Sequence, residues 1–123
     1  MKTKNLLLLL LVMLFIPFNL FANKTSVELV VPEKAEVGDT ITVKINVSHR
    51  GNSGFHHTDW VCLKIKDTEV KRWEFSRSNL PEDSDFTLEY SFEFVEAVEI
   101  KAEGNCNRHG SDRKDVKEIK LIE

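Results

Sequence analysis

Near its C-terminus the chain carries the stretch "GNCNRHG", Gly104 to Gly110, with Cys106 and His109 three residues apart among turn-favouring residues. A thiolate and an imidazole on one loop are metal ligands. The other three histidines crowd into a second short segment, His49, His56 and His57 in "SHRGNSGFHHTDW". Imidazole nitrogen combined with thiolate sulfur suits zinc, copper or iron. Two other readings stand beside this one: a Cys62–Cys106 disulfide would take away the thiolate, and solvated loop histidines are common. All four histidines falling in the two loops, beside one cysteine, favours the metal.

These residues need elements to position them, and the pattern along the chain is alternation by two. Ile41, Val43, Ile45 and Val47 alternate with polar residues in "TITVKINV", Val61, Leu63 and Ile65 in "WVCLKIK", and Phe86, Leu88, Tyr90, Phe92 and Phe94 in "FTLEYSFEF". Each predicts a half-buried antiparallel strand. Further strands are expected at "SVELVV", "EVKRWEF", "AVEIKAE" and "VKEIKLI", with turns at "PEKAEVGD", "RGNSG", "SNLPEDSD" and "NRHGSD". Seven short strands predict an all-β, seven-stranded immunoglobulin-like antiparallel sandwich. Loops in that architecture gather at two ends, so two strand-end loops can face one another and pool ligands. Alternation also bears on the disulfide: if Val61, Leu63 and Ile65 claim the core face, Cys62 faces outward with Trp60 and Lys64, while Cys106 lies in a loop.

At the N-terminus Lys2 and Lys4 precede the apolar run "LLLLLLVMLFIPF", and the small residue Ala22 closes the segment. Residues 1–22 are expected to be a secretory signal peptide, leaving one domain over 23–123 in the periplasm or secreted. The run falls short of the ~20 apolar residues that span a bilayer, so no membrane association is expected after cleavage. Removing the leader leaves 15 basic against 20 acidic residues, a net charge of −5. That balance argues against nucleic acid and anionic membranes as partners.

"CNRHG" resembles the cysteine–asparagine–any–histidine–glycine signature of the superoxide reductase family, also called the desulfoferrodoxin iron-binding domain or neelaredoxin. The resemblance extends through "VVPEKAEVGDTITVKINVSH" and "HHTDWVCLKI", covering nearly all of the mature chain. It implies a mononuclear non-haem iron held by four histidines in a plane and one axial cysteine thiolate, with the opposite position open to superoxide. Carried over residue by residue, Cys106 is the axial ligand and His49, His56 and His109 are equatorial ligands. Lys24 matches the family's catalytic lysine, which attracts superoxide and helps deliver a proton. The implied reaction is one-electron reduction of superoxide to hydrogen peroxide, with thiolate electron donation to the iron and a small redox protein as electron donor.

This sequence departs from the family in three places. Arg50 follows His49 where the family usually has proline, and the spacing from His49 to His56 is one residue longer. In place of a glutamate–lysine–histidine triplet the chain has "NKT", so Asn23 replaces the glutamate, Lys24 keeps the lysine and Thr25 replaces a histidine ligand. Three histidines and a cysteine make four donors, the number zinc prefers, which makes zinc an alternative to iron. Water or His57 is left to fill the gap, although alternation turns His57 away if His56 points inward. A non-catalytic metal-binding or electron-transfer domain of the same fold, and a metal-free exported interaction module, are the competing functions. Whether the protein forms a homo-oligomer is left open by the sequence.

Overall fold

The computed structural model describes residues 24–123, and the expected leader lies outside the described residues. Among the described residues eight strands follow one another: β1 (Ser26–Val30), β2 (Lys34–Ala35), β3 (Thr40–Ser48), β4 (Thr58–Ile65), β5 (Thr68–Glu74), β6 (Asp85–Glu93), β7 (Val98–Cys106) and β8 (Asp115–Leu121). One sheet has the order β1-β3-β6 and the other β2-β8-β7-β4-β5. All pairings are antiparallel except the two-residue contact of β2 with β8, which is parallel. The fold is an all-β, immunoglobulin-like sandwich.

The alternation seen in the sequence is the alternation of burial. In β3 the residues Ile41, Val43, Ile45 and Val47 are buried while those between them are exposed. β7 buries Val98, Ile100, Ala102, Gly104 and Cys106 in the same way. Both strands feed one core, which Leu29, Val61, Leu63, Phe94 and Ile119 complete. Each such aliphatic side chain contributes roughly 1.5–3 kcal/mol through burial.

Two features depart from the sequence-based expectation. An eighth strand lies inside the segment read as a turn, because Lys34 and Ala35 run alongside Lys120 and Leu121 for two residues. Cys62 is outside the core cluster, as its outward phase implies, yet it is only 4% exposed, in a small recess that Lys64, Lys101 and Glu103 also line.

Strand direction puts four connections at one end of the sandwich: residues 24–25 before β1, 49–57 after β3, 75–84 after β5 and 107–114 after β7. All four histidines are in these connections.

Candidate metal centre

The first position is fixed by β7. Its burial alternation runs without a break through Gly104 to Cys106, so the last residue of the strand turns its side chain inward. Cys106 is therefore a strand residue and not a loop residue as expected, and it is 2% exposed. Beyond it the chain reverses in a tight turn, with Cys106 N donating to Gly110 O at 2.9 Å and Gly110 N donating to Cys106 O at 3.0 Å. Gly110 has φ +77°, a left-handed conformation that glycine adopts without cost. This turn carries His109 back over the thiol, with its Nδ1 3.8 Å from Cys106 Sγ. The Arg108 backbone N–H also points at that sulfur, at 3.5 Å.

The second loop is aimed by a β-bulge. Thr58 pairs with Cys106 and Trp60 with Asn105, so Asp59 is an extra residue in β4. Counting back by two from the buried Val61 would put His57 on the same inward phase. The extra residue shifts the phase, so Thr58, and with it His56, takes that place. His56 reaches the turn at the end of β7: its Nε2 is 3.1 Å from His109 Nδ1. His49, the residue after β3, is 1% exposed, and its ring meets the His56 ring edge-on at 4.6 Å and 75°. One ligand atom each from His49, His56 and Cys106 lie within 4.8 Å of one another.

His57 goes elsewhere. It is buried, and its Nδ1 is 2.9 Å from the Ser53 carbonyl oxygen, outside the cluster of ligand atoms. Lys24 is exposed at the start of the described chain, directly before Thr25. Thr25 is wholly buried; its Oγ1 lies 3.1 Å from that of Thr58, the residue paired with Cys106. Its side chain packs so close to β7 that a Cβ on Gly104 would stand 2.6 Å from Thr25 Cγ2. Both cysteines are free thiols. Burial pushes the Cys62 thiol above its ordinary range, against the opposing pull of the Arg72 guanidinium.

Two asparagines hold the loops together, Asn107 of the "CNRHG" signature and Asn52, a role that the sequence reading gave to neither. The Asn107 Oδ1 accepts from His57 N at 3.0 Å, its Nδ2 donates to Phe55 O at 3.2 Å, and its backbone N–H donates to His57 O at 3.0 Å. The residues on both sides of His56 are thus tied to the residue beside Cys106. Asn52 does the same between other loops, accepting from Thr58 N at 2.9 Å and donating to Asp83 O at 2.8 Å. The available signal was an asparagine inside a loop that also holds metal-ligand residue types, where its amide can serve backbone donors and acceptors together.

The donor set suits a transition metal. Imidazole nitrogens of two separate residues stand 3.1 Å apart with a sulfur 3.8 Å from one of them, close enough for all three to share one small cation. His49 and Cys106 are buried, His56 is half-buried and His109 is exposed, so the cluster is closed toward the protein and open toward solvent.

The desulfoferrodoxin family model matches residues 21–114. Among solved structures, a superoxide reductase (neelaredoxin) from Ignicoccus hospitalis is 21% identical with a TM-score of 0.64, over 79% of this chain and 80% of that one. A variant of the superoxide reductase (neelaredoxin) from Archaeoglobus fulgidus, in the reduced form, is 20% identical with a TM-score of 0.60, over 88% and 99% of the two chains. A CARDB domain from Pyrococcus furiosus in complex with di-metal ions is 15% identical with a TM-score of 0.64, over 85% and 98%. At these identities the likeness to solved structures shows the fold. No curated protein matches the chain.

Proposed function

We propose that this chain, which belongs to the desulfoferrodoxin family, holds a mononuclear iron through His49, His56, His109 and Cys106 and reduces superoxide to hydrogen peroxide. The observation that carries the reading is that His49, His56 and Cys106 bring ligand atoms within 4.8 Å of one another, with His109 Nδ1 3.1 Å from His56 Nε2 and 3.8 Å from the Cys106 sulfur. Iron bound there would supply the single electron that superoxide takes up, and two protons complete the peroxide. The chain's own residues set the conditions. His49 and Cys106 exclude water from the protein side, and the Arg108 N–H steadies the sulfur. His109 leaves the outward side accessible to a small anion. Lys24, an exposed cation next to the buried Thr25, would attract that anion and pass on a proton.

The buried Thr25 defines how this site differs from a four-histidine one. Its hydroxyl is engaged with Thr58 and cannot stand in for an imidazole, so the centre has three histidines and one cysteine. Metal should be held less tightly and turnover should be slower than with the full set. The same donor count favours a second reading, a metal-binding domain without turnover, for which zinc is the competing ion. We further propose that the protein is exported, with residues 1–22 removed and 23–123 as the mature domain.

The test is to measure bound iron and the rate at which superoxide oxidises the reduced, iron-loaded protein, in wild type, His109→Ala, Lys24→Ala and Thr25→His. His109→Ala should lower iron occupancy, and Lys24→Ala should slow the reaction while iron content holds. Thr25→His should raise affinity and rate. Full occupancy in His109→Ala would overturn the ligand assignment, and a wild-type protein that binds iron but ignores superoxide would leave the non-catalytic reading.

A further inference from the structure

The four connections at the metal end carry six basic residues, Lys24, Arg50, Arg77, Arg108, Arg113 and Lys114, against three acidic ones. At the opposite end, residues 31–39, 66–67, 94–97 and 122–123 carry two basic residues against six acidic ones. The mature chain is acidic as a whole, so these connections form a locally positive pole around the histidines, bordered by the carboxylates of Glu74, Asp85 and Asp115 at the adjoining strand ends. In the midst of that pole one large apolar side chain stands out: Phe55 is 64% exposed. Phe55 is held in place. Its carbonyl oxygen accepts from Arg108 Nε at 2.6 Å as well as from Asn107, and the Arg77 guanidinium lies over its ring at 5.0 Å. The next residue in the chain is His56, one of the clustered ligands.

We propose that this face, Phe55 framed by Arg77 and Arg108, is the docking surface for an acidic one-electron carrier protein. The inference rests on the superoxide-reducing reading, since each turnover leaves the centre one electron short. The carrier loses one electron and the oxidised metal gains it, with no bond made and no proton moved. An exposed aromatic ringed by arginines is the composition of a protein-binding patch. Electron-transfer contacts are small, so one aromatic anchor with a charged rim is enough area. The charge separation orients an acidic partner toward the metal end and away from the other. A carrier seated on Phe55 is one residue from the His56 imidazole.

The test titrates labelled oxidised plant-type ferredoxin, an acidic one-electron carrier, against the protein by fluorescence anisotropy, from about 20 to about 200 mM salt. Wild type should bind, and binding should weaken as salt rises. Arg77→Glu should raise Kd ~10-fold or more and Phe55→Ala several-fold, whereas Lys34→Glu at the opposite end should change nothing. If Arg77→Glu does not fold, Arg77→Gln and the salt series still decide the matter. Equal effects of Arg77→Glu and Lys34→Glu, salt-independent binding, or equally tight binding of the basic mitochondrial cytochrome c would each overturn the proposal. The two readings fail separately. Superoxide oxidising the reduced protein while ferredoxin does not bind removes the docking surface alone. Specific ferredoxin binding by a protein inert to superoxide removes the activity alone and leaves the surface.

Discussion

The two ends of this sandwich are built on different rules. At the end away from the histidines β4 and β5 are joined by two residues, Lys66 and Asp67, both with left-handed backbone, at φ 54° and 62°. That is the primed hairpin turn whose twist matches its strands, and its backbone geometry sets their register. At the metal end the connections run over residues 49–57, 75–84 and 107–114, and long loops have no such built-in geometry. Side-chain amides fix them instead: Asn107 ties the His56 loop to Cys106, and Asn52 ties β4 to the Asp83 segment. A short turn makes the fold stiff but has no room for a site. Long loops have the room and need pins, so metal binding should respond to the pins more than stability does.

The largest effect that would break this comparison is at Cys106. Cys106→Ser removes the only sulfur in the cluster, and iron affinity should fall by ~100-fold or more, with loss of the sulfur-to-iron charge-transfer band. Cys62→Ser should keep the band, because that thiol lies on the outer face of the five-stranded sheet. A band that survives Cys106→Ser would assign the thiolate elsewhere. The next effect sharpens the comparison. Asn107→Ala should lower iron affinity by ~10–100-fold, in the manner of other residues that orient ligands. Its cost to the stability of the metal-free protein should be only ~1 kcal/mol, since Asn107 is exposed. Metal titration and urea unfolding of the same sample separate the two numbers. A stability loss with unchanged affinity would make Asn107 an ordinary loop residue.

Much of the fold was legible because burial in a two-layer sandwich has period two. Strands β3 and β6 announce themselves by that period, and β7 carries it on to Cys106 itself. Two-residue β2 has no room for a period and depends wholly on β8 beside it. Within the site, Cys106 and His109 were legible as residue types at a turn spacing. The choice of His56 over His57 depends on a bulge at Asp59 that is created by pairing with β7, and pairing is invisible to a local pattern. Cys62 was read onto the correct, outer face, but its burial was not legible: alternation says which face a residue is on, not how far its neighbours there enclose it. Asn107 was legible as a position of the "CNRHG" signature but its linking role was not, since an amide between two loops has no periodicity.

The smallest expected effect lies at the other end, in the turn that needs no pins. Lys101 Nζ donates to Asp67 Oδ1 at 2.6 Å and stands 3.2 Å from Glu99 Oε1. Its hydrogen bond and charge hold the Asp67 carboxyl below its usual range, and Asp67, with Glu99, holds the Lys101 ammonium above its own. A depressed carboxyl contributes stability above its unfolded-state value of about 3.9, and loses it as pH falls through the lower folded value. A raised ammonium contributes below about 10.4 and loses it as pH rises through the higher folded value. The pair should therefore favour the folded state from about pH 4 to about pH 10 and not beyond. Asp67 is fully exposed, so solvent and salt screen most of this. Asp67→Asn removes the charge but keeps a residue that tolerates left-handed backbone, so any change in turn strain is independent of pH. Contributions from distant parts of the molecule are common to both proteins and cancel in their difference. The urea midpoint of wild type minus that of Asp67→Asn should fall between pH 7 and pH 2.5, and the fall should shrink in about 0.5 M salt. A flat difference would mean that this end relies on backbone geometry alone.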